Sequence, residues 1–141
     1  MTPRTRPHTA VSTAAAPLPA AAYSQAITCG RLLHVAGQIP ADPATGEISG
    51  GDVTAQTTLA LANVRAVVEA AGGTFADIVM LRVYLTDRAS FAAMNHAYEQ
   101  YVARFADLSA LPARTTVVVG LPLENMLVEI DAVAVLSNGV K

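Results

Sequence analysis

Ile78-Val-Met-Leu-Arg-Val-Tyr-Leu85 is the stretch on which the fold turns. It is a near-continuous apolar run containing β-branched residues, the pattern of a strand covered on both faces and therefore central. Before it, Asp52 stands as an N-cap, and Val53, Thr57, Ala60, Val64, Val67 and Ala71 recur at helical spacing until Gly72-Gly73 stops the helix. After it, a second helix begins near Thr86 to Ser90, where Asp87 or Ser90 can cap it, and ends near Asp107. That helix carries Phe91, Met94, Tyr98, Tyr101 and Phe105 on one stripe.

Working outward, Tyr23 to Thr28 and Leu32 to Ala36 read as two strands about a Cys-Gly turn, and Thr9 to Thr13 as a short strand ahead of a Pro/Ala connector. Asp42-Pro-Ala-Thr-Gly46 is a turn. Ala113 to Val119 and Leu127 to Leu136 are the last two strands, joined through Leu121-Pro-Leu-Glu-Asn125. The order β-β-β-α-β-α-β-β predicts an α+β fold, one sheet of about six strands with two helices on one face. Apolar residues on both sides of Ile78–Leu85 and Leu127–Leu136 leave a second face in need of cover, and self-association is the simplest supply.

The bulk composition agrees. A chain of 141 residues fits one domain, read here as residues 9–138, behind a loose tail at residues 1–8. Hydrophobic residues are 52% and charged residues 14%, too little charge to coat the whole surface. The net charge of -2, with no Lys/Arg cluster beyond Arg4 and Arg6, lacks the electrostatic footprint of nucleic-acid binding. No apolar run is long enough to span a bilayer, so no membrane partner is expected. Pro17 and Pro19 break the Ala-rich stretch that a signal peptide would need, although residues 1–8 are Arg-bearing and acid-free like a transit peptide. A single cysteine, Cys29, cannot form an internal disulfide, and a reducing, cytoplasmic setting follows most simply.

Chemistry is concentrated in two places. Arg114 opens the apolar strand Ala113–Val119, with Thr116 on its face, and a guanidinium there suits a planar carboxylate because its rigid fork binds both oxygens. Glu129 and Asp131 share a face of the last strand with Leu127, Val133 and Val135. A carboxylate in such a strand pairs with a nearby cation, reaches solvent at an edge, or has a task. Arg114 and Glu129 are expected as a pair on neighbouring strands. Tyr23 can present its ring and hydroxyl to a ligand, or simply pack in the core. His8, His34 and His96 are scattered, and no metal-ligand spacing, dinucleotide fingerprint, P-loop or nucleophile elbow occurs. Cys29, in a turn with no local His, reads as inert. No metal and no cofactor are expected.

Ala22-Tyr-Ser-Gln-Ala26, His34-Val-Ala-Gly-Gln-Ile-Pro40 with Asp42-Pro-Ala-Thr-Gly46, Asn63-Val-Arg-Ala-Val-Val-Glu-Ala-Ala-Gly72, Phe91-Ala-Ala-Met-Asn95, Pro112-Ala-Arg114 and Val128-Glu-Ile-Asp-Ala132, in this order, resemble the RidA (YjgF, endoribonuclease L-PSP) family of enamine/imine deaminases. The resemblance spans roughly residues 9–136. It implies a chorismate-mutase-like fold, a homotrimer with sites between subunits, and hydrolysis of 2-aminoacrylate and related 2-imino acids to 2-keto acids and ammonia. By the same resemblance Arg114 holds the substrate carboxylate and Glu129 positions or activates water. Tyr23, Gly37, Asn95 and Thr116 line the substrate site. Four positions depart from the family pattern: Ala36 stands where Ser is common, Thr116 where Cys is common, and Ala21-Ala22 where Gly-Pro is usual. A non-catalytic trimer binding small carboxylates, as a regulator or chaperone-like protein, is the alternative.

Overall fold

The computed structural model describes residues 7–137, so residues 1–6 of the expected tail and residue 138 of the expected domain lie outside the described residues. Six strands, β1 (Thr9–Val11), β2 (Ala26–Cys29), β3 (Leu32–Gln38), β4 (Ile78–Leu85), β5 (Ala113–Val118) and β6 (Val128–Val135), form one sheet in the order β1-β2-β3-β6-β4-β5. Two helices, α1 (Val53–Ala70) and α2 (Phe91–Phe105), accompany it. This is the expected α+β fold, with one correction of topology. β5 and β6 are not neighbours, because β4 lies between them, antiparallel to β6 and parallel to β5. The parallel pair is the consequence of α2 crossing over from β4 to β5.

Local chemistry sets each boundary. The β2–β3 hairpin turns at Gly30, whose φ of 60° is easily reached only without a Cβ. Asp52 caps α1 by accepting from the Ala55 amide at 3.0 Å, and the helix stops where Gly72 takes a φ of 90°. Asp87 caps a short 3-10 turn, Arg88–Ser90, by accepting from the Ala89 amide, and α2 follows directly from that turn.

The helices cover one face only. Leu33, Val35, Leu81, Val83, Leu85, Val128, Ile130, Ala132 and Ala134 bury against Leu61, Val64, Val68, Met94, Tyr98 and Val102. On the opposite face, register places Met80, Arg82 and Tyr84 of β4 beside Val133, Asp131 and Glu129 of β6, and Val117 of β5 beside Tyr84. Among the described residues nothing covers that face as α1 and α2 cover the first, and Val79, Val117 and Val135 are exposed there or at its margins. The strand Ile78–Leu85 is thus internal, as expected, but its own chain covers one face of it. Phe91 shares its stripe of α2 with the buried Met94 and Tyr98 but is itself exposed.

Buried polar side chains staple the loops. Gln25, almost wholly buried, donates to the carbonyls of Thr13, Ala16 and Pro17 and accepts from the Thr13 amide at 2.7 Å. It ties the Pro/Ala connector to the start of β2. Gln25→Ala orphans that buried backbone and is expected to destabilise the fold by about 2–3 kcal/mol, read as a lower denaturant midpoint at unchanged slope.

Candidate functional site

The chemistry-bearing residues gather in two clusters. The first lies at the edge strand β5, on the helix-covered side. Arg114 sits opposite Leu81 of β4, whose side chain is in the core, so Arg114 points the same way. One terminal guanidinium nitrogen donates to Asn95 Oδ1 of α2 at 2.8 Å. The guanidinium carbon lies 4.6 Å from the centre of the Tyr98 ring and 5.9 Å from that of Phe91. Asn95 is in turn held by donating to Glu99 one helical turn on, at 3.1 Å. The bond to Asn95 and the contacts with the two rings restrain the guanidinium, and a planar fork so held is suited to binding a carboxylate through both oxygens. Thr116, two residues along on the same face, has a buried hydroxyl oxygen with no hydrogen-bond partner among the described residues.

The second cluster surrounds a cavity of about 530 Å³ on the other side of the sheet, lined by Tyr23, Ala36, Gly37, Ile39, Tyr84, Pro122, Leu123, Met126, Glu129 and Asp131 among others. Two residues of β3, Ala36 and Gly37, bulge where β6 has only Asp131, because the register shifts between Val35 and Gln38. The bulge brings the Gly37 backbone against Glu129: a Cβ at position 37 would stand 2.9 Å from the carboxyl carbon and 3.0 Å from Oε1. Glycine is what allows the carboxyl to lie there.

Burial, and behind it the charge of Asp131, raises the Glu129 carboxyl above its ordinary pKa. Among the described residues no hydrogen bond or ion pair reaches it. The nearby donors are engaged elsewhere: Arg82 Nε donates to Asp131 Oδ1 at 2.6 Å, and Tyr84 Oη donates to Asp131 Oδ2 at 2.8 Å. Tyr23 is half exposed at the rim, where its hydroxyl accepts from the Ala20 amide at 3.3 Å.

Sequence reasoning is therefore corrected at one point. Arg114 and Glu129 are on opposite faces of the sheet and separated by β4, so one chain cannot bring them onto one small molecule. The structure unites Arg114, Asn95 and Thr116, and separately Tyr23, Gly37 and Glu129. It adds Arg82, Tyr84 and Asp131, which the sequence reading did not assign to the site. It also shows what holds the cavity wall. Asn63 of α1 donates to the carbonyls of Ile39 and Ala41, and Gln56 donates to those of Ser49 and Asn125 while accepting from the Leu127 amide. Two fully buried amides on the apolar stripe of α1, seven residues apart, were the available signal.

Among the described residues no group of three or more His, Cys, Asp or Glu side chains could hold a metal ion, and no helix is long and apolar enough to cross a membrane.

Comparison with known proteins places the chain. The family model described as endoribonuclease L-PSP matches residues 13–136. The chain belongs to the RidA (YjgF, endoribonuclease L-PSP) family. A RutC family protein of Pyrococcus horikoshii is 44% identical over 119 residues, 84% of this chain and 90% of that one. The 2-iminobutanoate/2-iminopropanoate deaminase of Capra hircus is 37% identical over 125 residues, 89% of this chain and 88% of that one. Among solved structures, E. coli TdcF with bound serine superposes with a TM-score of 0.84 at 38% identity, covering 92% of this chain and 99% of that one. The six-strand sheet with its two helices is the fold shared with solved RidA-family structures.

Proposed function

We propose that the protein hydrolyses reactive 2-enamine and 2-imino acids of the 2-aminoacrylate/2-iminopropanoate type to 2-keto acids and ammonia, in sites shared between the copies of a homotrimer. The observation that carries this reading is the division of the site. A carboxylate-binding half and a carboxyl-bearing half lie on opposite sides of one sheet, each flanked by exposed apolar side chains, Phe91 beside the first and Tyr23 and Leu123 beside the second. The open face of the sheet supplies a reason for copies to associate. A ring of copies in head-to-tail contact sets the Arg114 half of one against the Glu129 half of the next. The named activity of the goat relative and the amino acid bound to TdcF support a small amino-acid-like carboxylate as ligand. The same reading puts the protein in the cytoplasm.

In this site the Arg114 fork binds the substrate carboxylate, held in plane by Asn95 and Tyr98. The 2-iminium carbon is already electrophilic, so the protein supplies orientation and proton transfer. Glu129, as carboxylate, takes a proton from water as its oxygen bonds to C2, giving a carbinolamine. The resulting carboxylic acid returns the proton to nitrogen; the C–N bond breaks with its electron pair on the departing ammonia, and the hydroxyl becomes the keto group as its proton passes to the regenerated Glu129 carboxylate, which releases it to the departing ammonia or solvent. A carboxyl raised above its ordinary pKa is a stronger base for the first step. No cofactor takes part in this sequence.

The test generates short-lived imino acids with an amino-acid oxidase or a serine/threonine dehydratase and follows keto-acid release. Faster release in the presence of the protein supports the reading. Binding of keto or amino acids without any acceleration would establish the non-catalytic carboxylate-binding protein instead.

A further inference from the structure

We propose that Asp131 is a positioning residue for Glu129, which keeps the Glu129 carboxyl free by holding the two strong donors beside it. Tyr84 is the direct cross-strand partner of Glu129 in the β4–β6 register, and Arg82 is that of Asp131. By position alone the Tyr84 hydroxyl and the Arg82 guanidinium are both candidates to bind Glu129. Each turns instead to Asp131, one carboxylate oxygen apiece, at 2.8 Å and 2.6 Å. Asp131 is the more enclosed member of the ion pair, with 15% of its side chain exposed against 46% for Arg82, so the pair is anchored on β6 rather than on the arginine.

Geometry explains the selectivity. Asp131 stands opposite the β3 bulge at Ala36 and Gly37, where no side chain longer than a methyl competes for its oxygens. Glu129 is pressed against Gly37 with its carboxyl toward the cavity. Other groups facing this region from neighbouring elements are His34 of β3, opposite Val133, and Tyr23 at the rim; no hydrogen bond connects either to Glu129 or Asp131 among the described residues. In the proposed assembly the Arg114 of a neighbouring copy faces Glu129 across the substrate. Asp131 also acts by charge. Two positions along the same strand face place it roughly 6.6 Å from Glu129 at the backbone, close enough for a like charge to favour the protonated form. Arg82 tempers that repulsion by partly neutralising Asp131.

The proposal rests on the reading of Glu129 as the proton-transfer group only for its catalytic consequence. Its structural claim is tested without turnover, by following the Glu129 side-chain carboxyl carbon by NMR against pH, the signal being assigned by its loss in Glu129→Gln. Asp131→Asn, which preserves shape, is expected to lower the Glu129 midpoint by about one pH unit, since a like charge is lost and donors are released toward Glu129. Arg82→Leu, at a half-exposed side chain, is expected to raise it, because Asp131 then acts with its full charge. In the imine assay the acid limb of kcat/KM is expected to follow, down for the first variant and up for the second. Opposed shifts establish the role. Midpoints unmoved, or moved in the same direction in both variants, overturn it. Opposed NMR shifts in a protein that hydrolyses no imine would leave the positioning role standing and refute the deaminase reading.

Discussion

Arg114→Ala is expected to reduce kcat/KM for imino-acid hydrolysis by about 1,000-fold, the rate equivalent of the roughly 4 kcal/mol lost when one partner of a desolvated, hydrogen-bonded charge pair is removed. The effect is large because Arg114 has no local substitute. Its neighbours Asn95, Tyr98 and Thr116 supply an amide, a ring and a hydroxyl, but no second cation. Arg114→Lys keeps the charge yet cannot form the two parallel bonds of the fork, so only a fraction of the activity is expected to return. The fold is expected to survive both changes, since Arg114 lies on the edge strand β5 and is only partly buried. Equal thermal midpoints beside the kinetic loss check this; a substituted protein that still turns over imino acids at the wild-type rate would remove Arg114 from the mechanism.

Glu129→Gln is expected to lower kcat by about 100- to 10,000-fold, the range associated with a positioned general acid–base group, while leaving keto-acid binding largely intact. The same substitution carries a stability signature of opposite sign. Because burial and the charge of Asp131 raise the folded-state pKa of Glu129 above 4.5, the folded protein at pH values above that raised pKa bears the cost of an ionised, half-buried carboxylate that the unfolded chain does not. That cost is present in full above the folded pKa, fades as pH falls through it, and is gone below 4.5, where both states are protonated. Glu129→Gln is therefore expected to raise Tm near pH 8 and to leave it unchanged near pH 4. Loss of stability at neutral pH would mean that Glu129 is a structural partner rather than a group held for chemistry.

Local signals were legible and long-range ones were not. Helix α1 could be read from Asp52 to Gly72 because its cap, its apolar spacing and its terminating glycine are all within the segment. The limits of β4 were likewise plain. A period of two correctly set Arg114 with Thr116 and Glu129 with Asp131. It could not show that the two pairs occupy opposite faces, because that depends on β4 inserting between β5 and β6, a pairing decided by the crossover through α2. Arg82 and Tyr84 escaped notice inside a run read for its apolar residues. Gln25, the interior residue of a motif noted for its tyrosine, is a staple for the connector. Asn95 carries no signal of its own in the sequence beyond the resemblance; its bond to Arg114 depends on α2 packing beside β5.

The central claim, that each site takes its carboxylate clamp from one copy and its proton-transfer group from the next, has a direct test. Arg114→Ala and Glu129→Gln chains, each inactive alone, are unfolded together, refolded as mixed oligomers and assayed for imino-acid hydrolysis. Random mixing in a head-to-tail ring gives wild-type pairings of Arg114 with Glu129 in about a quarter of the sites, so about a quarter of the wild-type activity is expected to return. Mixed oligomers as inactive as their parents would contradict a site shared between copies.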